Sequence, residues 1–250
     1  MSRLNLLIAP DFAPERFAGW HMLNTVLQRR TDLSIHLLTP ASAAEQGELI
    51  ARGDVDVVYA NPFDAASMIR ESGYEAIARP IGRSSEMVIA AAASSGNEHI
   101  TDLKAGARIA LTDNKDIRLI GLRLLEPADL TEADLRWELV ESYQAAARMA
   151  IKGEVDACFM LAQAYHSLSG LTRAQLRPLI ESKLTDITHV MLVHARRADD
   201  AARLQQALVG LAGTPDGQPV LEALGMDDGF AAMTAEDGEF MLDLMDTLLD

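Results

Sequence analysis

Residues 50–56 read Ile50-Ala51-Arg52-Gly53-Asp54-Val55-Asp56, and residues 150–156 read Ala150-Ile151-Lys152-Gly153-Glu154-Val155-Asp156. The stretches lie one hundred residues apart and agree in chemical type at all seven positions. Each spells the same junction: a helix closes on a basic residue, glycine takes the left-handed cap, an acid follows and a strand begins. Any helix-to-strand junction of an α/β protein can carry such a sequence, so the surroundings decide. Before the first copy, Leu4–Ala9 is a continuous apolar run ended by Pro10, the mark of a buried parallel strand. A helix follows over 15–30, with Phe17, Trp20, Leu23 and Leu27 on one face, then a strand over 33–38 and a helix over 42–52 capped by Ser42. A third strand covers 55–60. Around the second copy the order returns: strand 108–111, helix 117–125, strand 136–140, helix 143–152 and strand 155–160. Two β-α-β-α-β units of this kind predict sheets covered by helices.

Between the units, residues 86–94 read as an extended apolar segment, and so do residues 186–195 near the end of the second. Helices are expected over 199–212, 218–224 and 236–249. The pattern gives an α/β protein of two similar lobes. Each lobe is a mainly parallel sheet with helices on both faces, and two crossover strands join them. Lobe one takes residues 1–85 and 196–250, and lobe two takes 86–195.

The chain is 250 residues long, enough for two lobes of ordinary size. Against 22 Lys and Arg stand 37 Asp and Glu, a net charge of −15, which repels nucleic acid and anionic membrane surfaces. One cysteine, Cys158, excludes an internal disulfide and a cysteine-based metal cage, and its apolar strand marks a buried thiol. No apolar run reaches the roughly 18 residues of a membrane helix. With Met1 directly before the first strand, a cytoplasmic chain is expected as supplied, and a periplasmic one if a signal was removed before the numbering.

The sequence has no nucleophile elbow, no P-loop and no Gly-x-Gly-x-x-Gly. The six histidines form no HExxH or other metal-ligand spacing, so no catalytic residue, metal or cofactor is assigned. His189 and His194, five apart on one strand, point to opposite faces and read as packing or surface residues.

Several stretches, in order along nearly the whole chain, carry a resemblance to a known family. They are Ile8-Ala9-Pro10-Asp11 with Pro14-Glu15-Arg16, Gly53–Tyr59 leading into Asn61-Pro62, Ile100–Gly106, Ile151–Ala157 and Leu224–Phe230. On these the chain resembles the phosphate/phosphite/phosphonate-binding components of ABC importers, of type II periplasmic-binding-protein fold. The resemblance implies lobes that close on a small molecule, with an ABC transporter or a signalling partner, and no membrane insertion. In that family the first strand of the second lobe runs into a Ser/Thr-rich, Gly-containing turn that holds the oxyanion. Here the turn reads Thr112-Asp113-Asn114-Lys115-Asp116, with two carboxylates where an anion would bind. The resemblance also implies cytoplasmic enzymes on the same fold, chorismate dehydratase and thiamine-pyrimidine synthases among them. A dehydratase-like lyase is therefore the alternative, while the cysteine-rich motif of the synthases is missing.

Ligands of open α/β sheets bind beyond the carboxyl ends of the strands. This rule makes Asp11, Tyr59, Asn61, Arg83, Thr112, Asn114, Lys115 and Ser142 the candidate ligand-binding residues, with Glu181 and Thr188 behind them. Asn61, Asn114 and Ser142 each cap a helix whose free N–H groups can face an anion. Lys115 and Arg83 supply positive charge. Asp11 can accept from a ligand hydroxyl or amine, and Tyr59 can stack or donate.

Overall fold

The computed structural model describes residues 3–12, 14–84, 86–182 and 187–249, with the side chains of 14, 115, 248 and 249 left out. Two compact units form, Met1–Ser84 with Thr188–Thr247, and Ser85–Ile187.

The first unit opens with β1 (Leu4–Ile8), α1 (Phe17–Thr31), β2 (Ile35–Leu38), α2 (Ala43–Ala51), β3 (Val57–Ala60), α3 (Pro62–Ser72) and β4 (Tyr74–Pro80). The second unit holds β5 (Met87–Ala92), β6 (Arg108–Leu111), α4 (Lys115–Leu124), β7 (Arg136–Leu139), α5 (Tyr143–Ile151), β8 (Ala157–Leu161), α6 (Ala162–Ser167), α7 (Gly170–Arg173) and β9 (Leu176–Glu181). The chain then returns to the first unit with β10 (Val190–His194), α8 (Ala198–Val209), α9 (Gln218–Leu224), β11 (Phe230–Ala232) and α10 (Ala235–Leu249).

The first sheet has the order β11-β4-β10-β3-β1-β2, the second β7-β6-β8-β5-β9. Apart from β11 they are one pattern. In each, the first two strands of the βαβ repeat and its third strand pair in parallel. A strand from elsewhere in the chain then pairs antiparallel with the third: β10 with β3, and β5 with β8. β4 and β9 add antiparallel to these inserted strands. Most strands of each sheet therefore run one way, as expected, with one antiparallel strand, β10 or β5, inserted among them. The boundary of the lobes is corrected. Residues 188–195 belong to the first unit, because β10 is hydrogen-bonded between β3 and β4 there.

Alternation across the strands assigns the cores. Leu4, Leu6, Ile8, Val57 and Tyr59 face Trp20, Leu23 and Leu27 of α1 and Leu221 of α9. Leu7, Val58, Ala60 and Leu192 face the other way, toward Ala65 and Met68 of α3 and Met241 of α10. Full burial of each such leucine or valine favours folding by about 1.5–3 kcal/mol. In the second unit, small residues set the spacing. Ala146, Ala147 and Ala150 of α5 pack on Val88, Ala110 and Cys158. On the opposite face, a Cβ at Gly121 of α4 would lie 2.1 Å from the Phe159 ring, so only glycine lets α4 approach β8.

Candidate ligand site

In the first unit the carboxyl ends of β1, β3 and β4 and the start of β10 share one edge, since β10 runs antiparallel. Asp11 follows β1 there. His189, the residue before β10, donates from Nε2 to Asp11 Oδ2 at 2.9 Å. The Asp11 side chain is only 21% exposed. Burial pushes its carboxyl up, but the His189 charge, the His189 hydrogen bond and its own backbone N–H outweigh burial, and the net shift is downward. Asp11 is therefore held as a carboxylate.

The ring of Tyr59 lies flat against that of His189, with centroids 5.2 Å apart and planes at 21°. Trp20 closes on Tyr59 from the core at 4.7 Å. Burial first, and the Asp11 charge second, raise the Tyr59 phenol well above its ordinary value, against the charge of Arg83. The phenol stays neutral and remains a donor. Arg83, in the turn after β4, is half-buried and within electrostatic reach of Tyr59, Arg16 and Asp227. Among the sequence candidates, the structure thus brings Asp11, Tyr59 and Arg83 together.

Asn61 serves its own helix. Its Oδ1 accepts the Asp64 N–H at 2.8 Å, and its Nδ2 donates to Asp64 Oδ2 at 2.9 Å, which also receives Gln46 Nε2 at 2.8 Å. The amino end of α3 is an anion-attracting locus that already carries a carboxylate. The same holds for α4, whose first turn contains Asp116, 3% exposed. Asn114 caps that helix by accepting Ile117 N–H at 3.2 Å, and its own N–H reaches Thr112 O at 2.7 Å. Ser142 caps α5, accepting Ala145 N–H at 3.2 Å, and this first turn is free of acids. Thr112 Oγ1 is buried without a hydrogen-bond partner among the described residues. The side chain of Lys115 lies outside the described residues. Asp113 is exposed. Thr112, Asn114 and Ser142 all stand at the carboxyl edge of the second sheet, and among the described residues no hydrogen bond joins their side chains.

Four residues missed in the sequence reading stand on these edges. His189, read from sequence as a packing or surface residue, bonds Asp11 and stacks on Tyr59. Arg16 places Nη1 at 3.4 Å from both Glu222 O and Ala223 O, at the carboxyl end of α9. In the second unit Glu86, just before β5, accepts a short hydrogen bond from Ser182 Oγ, which in turn accepts Met87 N–H at 3.0 Å. Glu86 is 8% exposed and its Oε1 has no partner among the described residues. Burial raises its carboxyl and the neighbouring Glu181 adds to this, against the Ser182 hydrogen bond. Glu181 itself receives His166 Nε2 at 2.8 Å, and Thr188 is buried. The missing signal was strand direction. An inserted antiparallel strand presents its amino flank on the edge where its parallel neighbours end, so Glu86 and His189 belong to the list that strand carboxyl ends supply.

Among the described residues no three His, Cys, Asp or Glu side chains are grouped to hold a metal ion. No described helix is long and apolar enough to cross a membrane.

A family model described as ABC transporter, phosphonate, periplasmic substrate-binding protein matches residues 6–237. No curated protein matches. XAC2383 from Xanthomonas citri, solved with chloride, is similar in structure, with a TM-score of 0.82 at 15% identity, covering 100% of this chain and 98% of that one. The same protein has been solved bound to ATP. PhnD1 from Prochlorococcus marinus in complex with methylphosphonate gives a TM-score of 0.77 at 12% identity, over 99% of this chain and 98% of that one. The aliphatic sulphonate binding protein SsuA from Escherichia coli gives 0.63 at 16%, over 99% and 87%. At these identities the structures establish the fold, a type II periplasmic-binding-protein fold. With a family model matched over nearly its whole length, the chain belongs to the phosphonate-binding family of periplasmic substrate-binding proteins of ABC transporters.

Proposed function

We propose that this chain is the receptor of an importer for a small phosphorus oxyanion of the phosphonate class. The observation that supports it most is the polar edge of the first sheet. There a buried phenol, a histidine–carboxylate pair and an arginine converge within one unit, in a chain of this family. PhnD1 holds methylphosphonate and XAC2383 holds ATP, both ligands with phosphorus oxyanions, and we carry that class to this chain. Neutral Tyr59 and the His189 ring supply donors, while Asp11 fixes the ring and accepts from a ligand hydroxyl or amine. The carboxylates in α3 and α4 leave less helix-dipole attraction for an anion there, so more of its recognition falls to side chains. The lyase alternative needs a general base, and a carboxylate held down by its histidine partner, as Asp11 is, makes a weak one.

We place the chain in the periplasm with its family, in preference to the cytoplasm expected from Met1. Fractionation of cells expressing the full-length gene product decides between the two. Calorimetry and thermal unfolding against methylphosphonate, phosphate, phosphite, methanesulfonate and acetate test the ligand class. Methylphosphonate or phosphate is expected to raise the melting temperature, since binding to the native state alone stabilises it by about 2.7 kcal/mol at a hundred times Kd. A flat response to all five overturns the reading.

A further inference from the structure

The carboxyl edge of the first sheet holds an arrangement that the fold does not require. Arg16, ahead of α1, and Arg83, in the turn after β4, come from distant parts of the chain and meet over Gly225. A Cβ built on Gly225 would stand 2.6 Å from Arg16 Nη2 and 2.8 Å from Arg83 Nη2, so both guanidinium tips reach one point. Gly225 has φ +62°, and it leaves the space that any side chain would fill. Both arginines are half-buried, so their mutual repulsion is less screened than on an open surface. Arg16 Nη1 makes long contacts, 3.4 Å, with the last carbonyls of α9, while Nη2 is the nitrogen that stands over Gly225 beside Arg83 Nη2. Burial first, and then repulsion from Arg16, push the Arg83 value down, against the attraction of Asp227. Asp228 stands against Gly82, the residue before Arg83. Two converging guanidinium forks are the geometry that a tetrahedral dianion satisfies, because each presents paired N–H donors to paired oxygens.

We propose that Arg16 and Arg83, meeting over Gly225, form a clamp for the doubly charged phosphorus oxyanion of a phosphonate or a phosphate ester. The clamp rests on the phosphonate-class reading and assigns the anion to a side-chain pair of the first unit rather than to a helix end. Gly225 is part of it, as the floor on which the two forks close. Tyr59 is within electrostatic reach of Arg83.

The test is calorimetry on the full chain with methylphosphonate, inorganic phosphate and methanesulfonate as probes. Arg83→Gln and Arg16→Gln are each expected to weaken methylphosphonate at least tenfold, and Gly225→Ala to weaken it as well by forcing the forks apart. Arg83→Lys keeps the charge and loses the fork, and a loss of at least threefold is expected. Methanesulfonate, a monoanion, is expected to bind at least tenfold more weakly than methylphosphonate to the wild type and to lose less in the variants. Comparable losses for phosphate and methylphosphonate mark the bare oxyanion as the group recognised, and a loss confined to methylphosphonate marks the phosphonate. Arg52→Gln, on an exposed helix end, is expected to bind as the wild type does. Arg16 also touches α9, so Arg83→Gln and Arg83→Lys decide if Arg16→Gln fails to fold. Wild-type affinity for methylphosphonate in both Arg83 variants overturns the clamp and leaves the phosphonate-class reading standing. A wild type that binds none of the three probes overturns both.

Discussion

Asp56 and Asp156 do the same job in two sheets. Asp56 Oδ2 accepts the Asn5 N–H at 2.8 Å, and Asp156 Oδ2 accepts the Arg108 N–H at 2.8 Å. Each carboxylate stands just before the third strand of its unit and ties that strand to the start of the first, β3 to β1 and β8 to β6. The surroundings differ. Asp56 is 8% exposed and also receives Arg196 Nε at 2.9 Å and Arg197 Nε at 3.2 Å, whereas Asp156 is 43% exposed with Arg108 at 3.7 Å. Asp56→Asn leaves two guanidinium groups facing a neutral amide and is expected to cost about 2–3 kcal/mol, read by urea unfolding. Asp156→Asn is expected to cost at most about 1 kcal/mol, as an exposed pair does. Equal losses would show that the arginines add nothing at Asp56.

Acid sensitivity follows from the same carboxylate. Burial alone would raise the Asp56 value, but Asn5 N–H, Arg196 and Arg197 bring the net shift below the ordinary one. A lowered folded value gives stability that is present above the unfolded value, near 4, and is lost as pH falls through the folded value. The stability gap between wild type and Asp56→Asn is therefore expected to hold from pH 7 to about 5 and to shrink below about 4. A gap that is constant down to pH 2 contradicts the assignment.

The repeat was legible because its residues act locally. Gly53 and Gly153 take φ of 75° and 71°, Ser42, Asn61, Asn114 and Ser142 cap the helices they precede, and each aspartate of the repeat meets its own sheet. Strand direction was not legible. β5 is apolar throughout and β10 is apolar up to its last residue, His194, and an apolar run carries no record of which way it lies between its neighbours. Their antiparallel insertion turned Glu86 and His189 toward the edges of interest. The Arg16–Arg83 pair was hidden for a related reason, since only tertiary structure brings both over Gly225. β4, β9 and β11 escaped notice because Tyr74-Glu75-Ala76, Arg177-Pro178 and Phe230-Ala231-Ala232 break or shorten the alternation that marks a strand.

Cys158 sits in β8 with no exposed surface, its Sγ 3.4 Å from Ala90 O, and burial pushes the thiol up to about 12. Thiolate is the reactive form, so native protein is expected to resist an aromatic disulfide reagent at pH 8 and to react with one equivalent once unfolded. Fast labelling of the native chain would mean that β8 opens far more readily than a central strand should.

Glu86 gives the opposite pH dependence to Asp56. Its folded value is raised, chiefly by burial, so the ionised form is disfavoured in the folded chain. The contribution is intact below the unfolded value and is lost as pH rises through the folded one. Glu86→Gln keeps an oxygen for Ser182 Oγ to donate to and removes the charge. At about pH 4 and below the variant should match the wild type. At pH 8 it should be the more stable, by up to about 1 kcal/mol, because no buried carboxylate remains to be desolvated. Thermal unfolding of both proteins between pH 4 and 8 measures this directly. A variant less stable than the wild type at pH 8 would show that the ionised carboxylate is wanted in the fold, and that Oε1, without a partner among the described residues, finds a donor there.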